Sequence, residues 1–325
     1  MTAKALLCTL AAAAVLPTLS AGATACGAKP VNAGSKNPLS IAVIGDTPYG
    51  EEQIAAFPEL VDDVNADPKV RLVLHLGDVK SGSSRCSDER FQTSLRLYET
   101  FKDPLVLTPG DNEWTDCHRA AAGGYLPTER LAAVRETFYP QPGRTLGGRP
   151  MRVLTQADEP GFEAFVENQL WMRSQVVFSA VHVVGSRNDL APWFGSAETE
   201  QQREPRLEEY RTRLAADLAW LDRTFATARR EGAEGVVIAM QADTFARPPE
   251  GFEEIIERIE DRARQFGGPV LLLQGDTHTY KVDRPLTGAP NVTRIVVEGE
   301  TADEWLRLRI DPRADELFSW ERERL

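Results

Sequence analysis

The sequence predicts an α/β fold, in which apolar strands alternate with amphipathic helices around a sheet. Three observations lead to this fold class. Short apolar runs of strand length alternate along the chain with longer segments of helical spacing. Four of the apolar runs end in a glycine followed by an aspartate, at Asp46, Asp78, Asp111 and Asp276. Two further apolar runs near the end of the chain have the length and composition of late strands added to a sheet.

The predicted strands are short apolar runs bounded by turn residues. In chain order they are Leu39–Ile44, Leu72–Leu76, Val106–Thr108, Val176–Val184, Gly235–Met240, Val270–Gln274, Thr293–Glu298 and Trp305–Ile310. The predicted helices have apolar residues recurring at intervals of three and four. They are Glu51–Val64, Ser87–Phe101, Pro127–Phe138, Glu204–Arg230 and Glu253–Phe266. The segment 114–161 is rich in glycine and proline around its one helix, which is typical of walls that shape a binding site.

Composition and charge indicate an ordinary globular protein and argue against nucleic acid as its main partner. The chain has 325 residues, of which 42% are hydrophobic and 26% charged, so we expect one large domain over residues 39–325. A formal charge of -12 and a pI near 5.0 argue against nucleic acid or an anionic membrane surface as the main partner. A small phosphate ester responds only to the local field, so the net charge does not exclude it.

The first residues have the pattern of a secretory signal peptide, predicted over residues 1–25. Lys4 precedes an apolar stretch too short to span a bilayer, and Ala23-Thr24-Ala25 matches a cleavage site. Residues 26–38 are predicted to be a flexible linker. Cleavage would place Cys26 first, which is typical of a bacterial lipoprotein anchored by that cysteine. Ala23 stands where such signals usually have leucine, so plain export to the periplasm or the medium is the other interpretation.

The cysteines predict one disulfide. The chain has 4 cysteines, and Cys8 belongs to the predicted signal peptide. Cys86 and Cys117 follow Asp78 and Asp111 at similar distances, and both loops are expected at the same edge of the sheet. Because export favours disulfides, we expect these two cysteines to pair and to brace the loops.

The four Gly-Asp pairs indicate a metal site. Ligands of open α/β sheets bind beyond the carboxyl ends of the strands, and glycine there lets the backbone approach a ligand closely. Carboxylates gathered at one edge repel one another unless protons or cations neutralise them. The alternative for any single pair is a plain turn between strand and loop, since both residue types favour turns.

In order and in strand context, these motifs resemble the calcineurin-like metallophosphoesterase superfamily, from about Leu39 to the late strands. The resemblance implies a four-layer α/β/β/α sandwich, in which two mixed sheets are flanked by helices. It also implies two metal ions bridged by an aspartate and a water or hydroxide. The first motif, Asp-x-His, matches at Asp46, but Pro48 stands at the histidine position and cannot be a ligand. Asp78 of the second motif, Gly-Asp, resembles the bridging ligand.

The later motifs match only in part. In the Gly-Asn-His-Asp/Glu motif, Asp111 replaces the metal-binding asparagine and Asn112 replaces the histidine that acts as an acid toward the leaving group. Glu113 matches the residue that orients this acid. Gln241 stands where the family has a histidine ligand after a strand. In the last motif, Gly-His-x-His, Asp276 replaces the first histidine and His278 matches the second.

These replacements predict a harder metal site of lower positive charge. Carboxylate and carbonyl oxygens suit manganese, magnesium or calcium, whereas imidazole suits zinc and iron. The four aspartates offset the charge of two divalent ions, so a phosphate dianion is attracted less strongly than in a site with fewer carboxylates.

Four further residues are candidates on position alone. Lys80 either restores positive charge beside Asp78, takes the metal position weakened by Pro48, or is an ordinary surface lysine. His118 is the nearby candidate for the missing acid. Arg187 and Asn188 follow a predicted strand and either hold phosphate oxygens or form a structural turn. His75, in the middle of a strand, is expected to be a hydrogen-bonded core histidine.

Two functions remain open at the level of sequence. The first is an exported phosphoesterase that hydrolyses a phosphate mono- or diester with a metal-activated water. The second is a binding or scaffold protein that kept the fold and lost the reaction, which the missing histidines favour. The retained carboxylates and His278 oppose it, because an abandoned site has no need of buried charge. Neither a Gly-x-Ser-x-Gly elbow nor a phosphate-binding loop of the Gly-x-x-x-x-Gly-Lys type is present.

Overall fold

The computed structural model describes residues 36–246 and 248–325. The predicted signal peptide, Cys26 and the linker up to residue 35 lie outside these residues. Within the described ranges, no helix has the length and apolar character needed to cross a membrane.

Two mixed sheets form the centre of the fold. The first has five strands, which are β1 (Leu39–Ile44), β2 (Val70–His75), β3 (Leu105–Leu107), β11 (Glu304–Ile310) and β12 (Phe318–Arg324) in the described part of the chain. Their spatial order is β12-β11-β1-β2-β3. Strands β1, β2 and β3 are parallel to one another. Strand β11 is antiparallel to β1, and β12 is antiparallel to β11. The parallel strands therefore end at one edge.

The second sheet has seven strands among the described residues, in the order β4-β5-β6-β7-β8-β10-β9. They are β4 (Leu154–Thr155), β5 (Gln169–Arg173), β6 (Val176–Ala180), β7 (Gly235–Ala239), β8 (Val270–Gln274), β9 (Lys281–Asp283) and β10 (Val292–Val296). Strands β6, β7, β8 and β10 are parallel, with direct pairs such as Val237 to Leu271. Their buried, β-branched composition is typical of parallel strands covered on both faces.

The helices cover the outer faces of the sheets. Helices α1 (Gly50–Ala66), α2 (Asp88–Tyr98) and α3 (Pro127–Phe138) pack on the first sheet, and α4 (Glu200–Glu231) and α5 (Glu253–Phe266) pack on the second. A third apolar core lies between the sheets and includes Val43, Leu74, Phe178, Val237 and Leu271. These layers confirm the expected four-layer α/β/β/α sandwich.

The differences from the predicted elements have local physical reasons. The predicted strand Val176–Val184 stops at Ala180, because the backbone N–H of Val183 donates to the carbonyl of Val181 and turns the chain. Helix α4 begins at Glu200, four residues before the predicted start, because Thr199 and Gln202 form a capping box. Strands β4, β5, β9 and β12 were not predicted. Of these, β12 is a polar edge strand whose position depends on pairing with β11.

Candidate metal centre

The strand ends bring the five predicted carboxylate and imidazole ligands to one place. Asp46 follows β1, Asp78 follows β2, Asp111 follows β3, and Asp276 and His278 follow β8. Four of them have left-handed backbones, with φ of 52° at Asp46, 57° at Asp78, 72° at Asp276 and 53° at His278. Such conformations cost roughly 1–3 kcal/mol each and concentrate at functional sites. The strain turns each side chain toward the same edge.

Asp46, Asp78 and His278 form the tightest group. One potential ligand atom from each lies within 4.8 Å of the other two. Asp46 is fully buried and accepts the backbone N–H of Asp276 at 3.0 and 3.2 Å. The Nε2 atom of His278 lies 3.5 Å from Asp46 Oδ1. This geometry fits one cation held by two carboxylates and an imidazole.

Asp111 and Asp276 face each other across Gly185. A Cβ placed on Gly185 would lie 2.6 Å from Asp111 Oδ2 and 2.9 Å from Asp276 Oδ1. A Cβ on Gly110 would lie 2.0 Å from Asp78 Oδ1, so Asp78 packs against the residue before Asp111, and the charge of Asp111 acts on it. The two glycines thus leave room for carboxylates that a larger residue would displace.

Gln241 connects the second group to the loop after β6. Its Oε1 accepts the backbone N–H of Gly185 at 2.7 Å, and its Nε2 lies 3.4 Å from Asp111 Oδ1. Gln241 is fully buried. The side-chain amide of Gln241 therefore contacts both Asp111 and Gly185. Its oxygen is the atom that could bind a metal ion.

Asn112 and Tyr49 hold Asp78. The backbone N–H of Asn112 donates to Asp78 Oδ1 at 3.0 Å, and its Nδ2 donates to Asp78 Oδ2 at 2.6 Å and to Tyr49 Oη at 3.0 Å. The hydroxyl of Tyr49 in turn donates to Asp78 Oδ2 at 3.0 Å. The ring of Tyr49 lies edge-on to His278, with 5.5 Å between centroids. Sequence reasoning missed Tyr49, although it directly follows the proline at the lost histidine position.

Glu113 and Lys80 bind backbone groups of the loops that carry Asp78 and Asp111. Glu113 accepts the backbone N–H groups of Gly110 at 2.6 Å and Val79 at 3.3 Å, and so joins the two Gly-Asp loops. Lys80 is fully buried, and its ammonium donates to the carbonyl of Asn112 at 2.6 Å and to that of Ser81 at 2.9 Å. Lys80 is therefore not a surface lysine. Its charge lies against the backbone of the loop that carries Asn112.

Burial and mutual repulsion strongly shift the pKa values of the carboxyl groups in this region. Burial, followed by the charges of Asp111, Glu113 and Asp46, raises the pKa of Asp78 well above its usual range. Burial and the same kind of repulsion raise the pKa of Asp276 to about 8. Burial raises the pKa of Glu113 to about 7, although the N–H of Gly110 and the ammonium of Lys80 oppose the rise. Carboxylates that resist ionisation in this way are stabilised by bound cations.

A further acidic residue, Asp116, lies beside the centre, and the sequence analysis does not predict it. Asp116 is buried, and the hydroxyl of Ser186 lies 2.7 Å from its Oδ1 and 2.9 Å from Asp111 Oδ2. Arg119 pairs with the other oxygen of Asp116 at 2.6 Å, and half of the Arg119 side chain is exposed. No sequence signal indicated this group, because the contact with Ser186 joins residues 70 positions apart.

The remaining candidates lie at the edge of the site or outside it. In the described part of the chain, His118 Nδ1 contacts the carbonyl of Thr115 at 2.7 Å and the ring packs on Phe194. Arg187 is half-exposed and pairs with Glu250 at 2.8 Å.

Asn188 is fully buried, and both ends of its amide are engaged within the fold. Its Nδ2 donates to the carbonyl of Gly251, and its Oδ1 accepts from Arg213. These contacts describe the structural turn rather than a phosphate site. His75 is a buried core histidine, as expected. Its Nδ1 accepts the backbone N–H of Gly77 at 3.2 Å, and its Nε2 lies 2.9 Å from the carbonyl of Thr47.

The predicted disulfide is present. Cys86 and Cys117 are bonded, with their Cα atoms 5.8 Å apart. Both are fully buried, and they connect the loop after Asp78 to the short 3₁₀ helix Thr115–His118 after Asp111. The bridge thus joins the two loops that carry these aspartates.

Comparison with protein-family models identifies the family. The model of the calcineurin-like phosphoesterases matches residues 39–280. The chain belongs to this family. Membership supports a phosphoesterase-type function that uses divalent metal ions. A search of curated proteins found no match.

Solved structures with the same fold are similar to this chain despite low sequence identity. A dimetal phosphatase from Danio rerio superposes with a TM-score of 0.55 at 10% identity, covering 87% of this chain and 98% of the other. A purple acid phosphatase from yellow lupin (Lupinus luteus) seeds superposes with a TM-score of 0.51 at 11% identity, covering 91% of this chain and 52% of the other. At these identities the likeness shows the fold alone.

Proposed function

We propose that this protein hydrolyses phosphate mono- or diesters with the help of two divalent metal ions. The observation that carries the proposal is the convergence of Asp46, Asp78 and His278 within 4.8 Å, with Asp111 and Asp276 adjoining them. Family membership supports the same reaction class.

The residues present fit two hard cations. Asp46, Asp78 and His278 would hold one ion, and Asp78, Asp111, Asp276 and the Oε1 of Gln241 would hold the other. A donor set of carboxylates, one amide oxygen and one imidazole favours manganese, magnesium or calcium over zinc or iron. When bound, such ions supply a nucleophilic water at neutral pH and offset the charge of the phosphate.

The other residues of the centre act by positioning. Tyr49 and Asn112 fix both oxygens of Asp78, so this carboxylate is held ready to face two cations. Glu113 fixes the two loops through their backbone N–H groups. Lys80 fixes the carbonyl of Asn112. Outer contacts of this kind orient metal ligands, and their loss typically weakens metal binding about 10–100-fold.

Export is part of the proposal. A disulfide between Cys86 and Cys117 supports an oxidising compartment such as the periplasm or the medium, where such bonds persist. We propose removal of residues 1–25, with residues 39–325 forming the catalytic domain. A lipid anchor at Cys26 would hold the domain near a membrane. Mass spectrometry of the mature N-terminus separates lipidated from plain exported protein.

The alternative, a binding protein that has lost the reaction, is favoured by Asn112, since an amide cannot serve as a proton donor at that position. Metal analysis and hydrolysis assays distinguish the two functions. Protein purified without chelator should contain two equivalents of a divalent ion and hydrolyse a nitrophenyl phosphate ester. Bound metal without hydrolysis of any phosphate ester would favour the binding protein.

The variant Asp78→Asn tests the role of the shared carboxylate. It removes one charge while keeping the side-chain volume, so we expect loss of metal and of hydrolysis with the fold retained by circular dichroism. Asp315→Asn makes the same chemical change at an exposed turn between β11 and β12 and is the matched control. Hydrolysis that survives Asp78→Asn at the control level would rule out the proposed site.

A further inference from the structure

Among the described residues, the polar side chains around the proposed metal centre are engaged with other groups. Both oxygens of Asp116 are engaged, one by the hydroxyl of Ser186 and the other by Arg119. Beside Asp78, the side chain of Asn112 is an amide, which is not an acid. The proton of Tyr49 is donated to Asp78 Oδ2. The two nitrogens of His278 face Asp46 and Glu300 at 3.5 and 3.4 Å. A departing oxygen would therefore leave without receiving a proton from these side chains.

His118 and Lys80 do not replace the missing donor in this geometry. The ring of His118 is held by the carbonyl of Thr115 and by Phe194. Lys80 is fully buried and directs its ammonium to the carbonyls of Ser81 and Asn112. Both side chains are thus oriented by groups outside the cluster of carboxylates.

Arg119 is a cation at the edge of the same site. Its guanidinium is anchored at 2.6 Å by Asp116, which is buried and linked through Ser186 to Asp111. Half of the Arg119 side chain is exposed. A guanidinium carries five N–H donors, so one anchored edge leaves others to bind an anion from solvent.

Gly82 shows how close Arg119 comes to Asn112. A Cβ placed on Gly82 would lie 2.7 Å from Asn112 Oδ1 and 3.1 Å from Arg119 Nη1. Both groups therefore border the same point, and the amide of Asn112 connects it to Asp78 Oδ2 at 2.6 Å. Arg119 therefore borders the side chain of Asn112, which in turn contacts Asp78.

The charge balance of the metal centre indicates a role for Arg119 at this position. Four aspartates offset two divalent cations, and Asp116 adds a further carboxylate beside them, so without Arg119 the metal centre has little net attraction for a phosphate. A guanidinium keeps its proton at any physiological pH. Arg119 therefore supplies positive charge and hydrogen bonds for a phosphoryl oxygen or a departing oxyanion, and it cannot protonate either.

We propose that the site is selective for phosphoanhydrides and aryl phosphates, whose leaving groups depart as weakly basic oxyanions, and that Arg119 binds and stabilises the phosphoryl group. The inference rests on the proposed hydrolase function and names its substrate class. In the step, the oxygen of water forms a bond to phosphorus and the bond from phosphorus to the leaving oxygen breaks. The leaving group keeps the electron pair, and both protons of water remain with the phosphate or pass to solvent.

The first experiment measures kcat/KM of manganese-loaded protein for ADP, pyrophosphate, 4-nitrophenyl phosphate, phenyl phosphate and glycerol phosphate. We expect hydrolysis of the anhydrides and of nitrophenyl phosphate to exceed that of glycerol phosphate at least 100-fold, with phenyl phosphate between them. Turnover of glycerol phosphate within tenfold of nitrophenyl phosphate would overturn the inference while leaving the hydrolase function intact. Turnover of none of them, together with no turnover of bis(4-nitrophenyl) phosphate as a diester, would overturn the hydrolase function itself.

The second experiment tests Arg119. Removing one preorganised donor to a developing charge typically costs about 10²–10³-fold. We therefore expect Arg119→Met to lower kcat/KM for nitrophenyl phosphate about 100-fold and to weaken binding of inorganic phosphate at least tenfold by calorimetry. Arg119→Lys keeps the charge and should recover part of both losses. Arg229→Met, at an exposed position near the end of α4, is the control. Equal behaviour of Arg119→Met and Arg229→Met would refute the role of Arg119.

The third experiment tests the absence of an acid. Asn112→His introduces a side chain that can protonate a leaving group, but it also removes the amide that holds Asp78. The readout is therefore a ratio measured at saturating manganese, and we expect turnover of glycerol phosphate relative to nitrophenyl phosphate to rise at least tenfold. Tyr49→Phe should affect all substrates by the same factor, because it acts through Asp78. A selective loss of glycerol phosphate turnover in Tyr49→Phe would identify Tyr49 as an acid and overturn the inference.

Discussion

Replacing Asp276 by asparagine should change stability in opposite directions without and with divalent ions. In the metal-free protein, burial and then the charges of Asp111 and Asp46 raise the pKa of Asp276 from 3.8 to about 8. The unfolded chain releases this proton near pH 4, whereas the folded protein holds it to about pH 8. The folding penalty therefore grows as pH rises from about 4 to about 8, and it is absent below pH 4.

The size of the effect follows from the same pKa. One pH unit corresponds to about 1.4 kcal/mol, so at pH 7, about three units above the ordinary pKa, the penalty reaches about 4 kcal/mol. Asp276 is partly exposed to solvent, so screening lowers the expected folding penalty to roughly 2–3 kcal/mol. At pH 5 about 1 kcal/mol remains by the same reasoning. Asparagine carries no charge at either pH and keeps the shape of the side chain.

Urea unfolding measures the difference. In EDTA at pH 7, Asp276→Asn should be more stable than the wild type by about 2–3 kcal/mol, and this gain should shrink at pH 5. In excess manganese the order should reverse, because a 100-fold loss of affinity removes about 2.7 kcal/mol of ligand-linked stability. Asp315→Asn serves as the exposed control. A gain in EDTA that is the same at both pH values, or equal stabilisation of both proteins by manganese, would refute the reasoning.

Three further predictions concern the surroundings of the metal centre. The double variant Cys86→Ser with Cys117→Ser should lower the free energy of unfolding by about 3–4 kcal/mol in urea, since the bridge spans 31 residues; an unchanged midpoint would contradict this. Gly185→Ala should weaken manganese binding at least tenfold by calorimetry, because the new Cβ would lie 2.6 Å from Asp111 Oδ2. Tyr49→Phe should weaken it about 10–100-fold by freeing Asp78, and wild-type affinity in either variant would count against these contacts.

The fold and the position of the site follow from local patterns. Four apolar runs that end in Gly-Asp predict parallel strands, and parallel strands of one sheet present their carboxyl ends at one edge. That rule places Asp46, Asp78 and Asp111 together, and the equivalent edge of the second sheet adds Asp276 and His278. The disulfide was predictable for the same reason, since two loops at one edge bring their cysteines together.

Side-chain orientation within the site could not be predicted in this way. Tyr49 contacts Asp78, which is 29 residues away, and Asn188 contacts Gly251 and Arg213, which are 63 and 25 residues away. Arg119 pairs with Asp116 only three residues away, but the pairing depends on the local shape of the loop. Strand periodicity states which end of the sheet a loop occupies, but it does not state which way a loop residue turns. The direction depends on tertiary contacts. The ammonium of Lys80, for example, lies in the interior because it donates to the carbonyls of Asn112 and Ser81.

The sequence by itself determined the fold class, the edge at which the carboxylates gather and the hard character of the donor set, because these depend on hydrophobic periodicity and residue type. Only the tertiary structure decided that Tyr49 and Asn112 hold Asp78 and that Asp116 anchors Arg119. The contacts of Asp78 arise where separate loops meet. A hydrogen bond between loops is set by distances of a few tenths of an ångström, which no local pattern in the chain encodes.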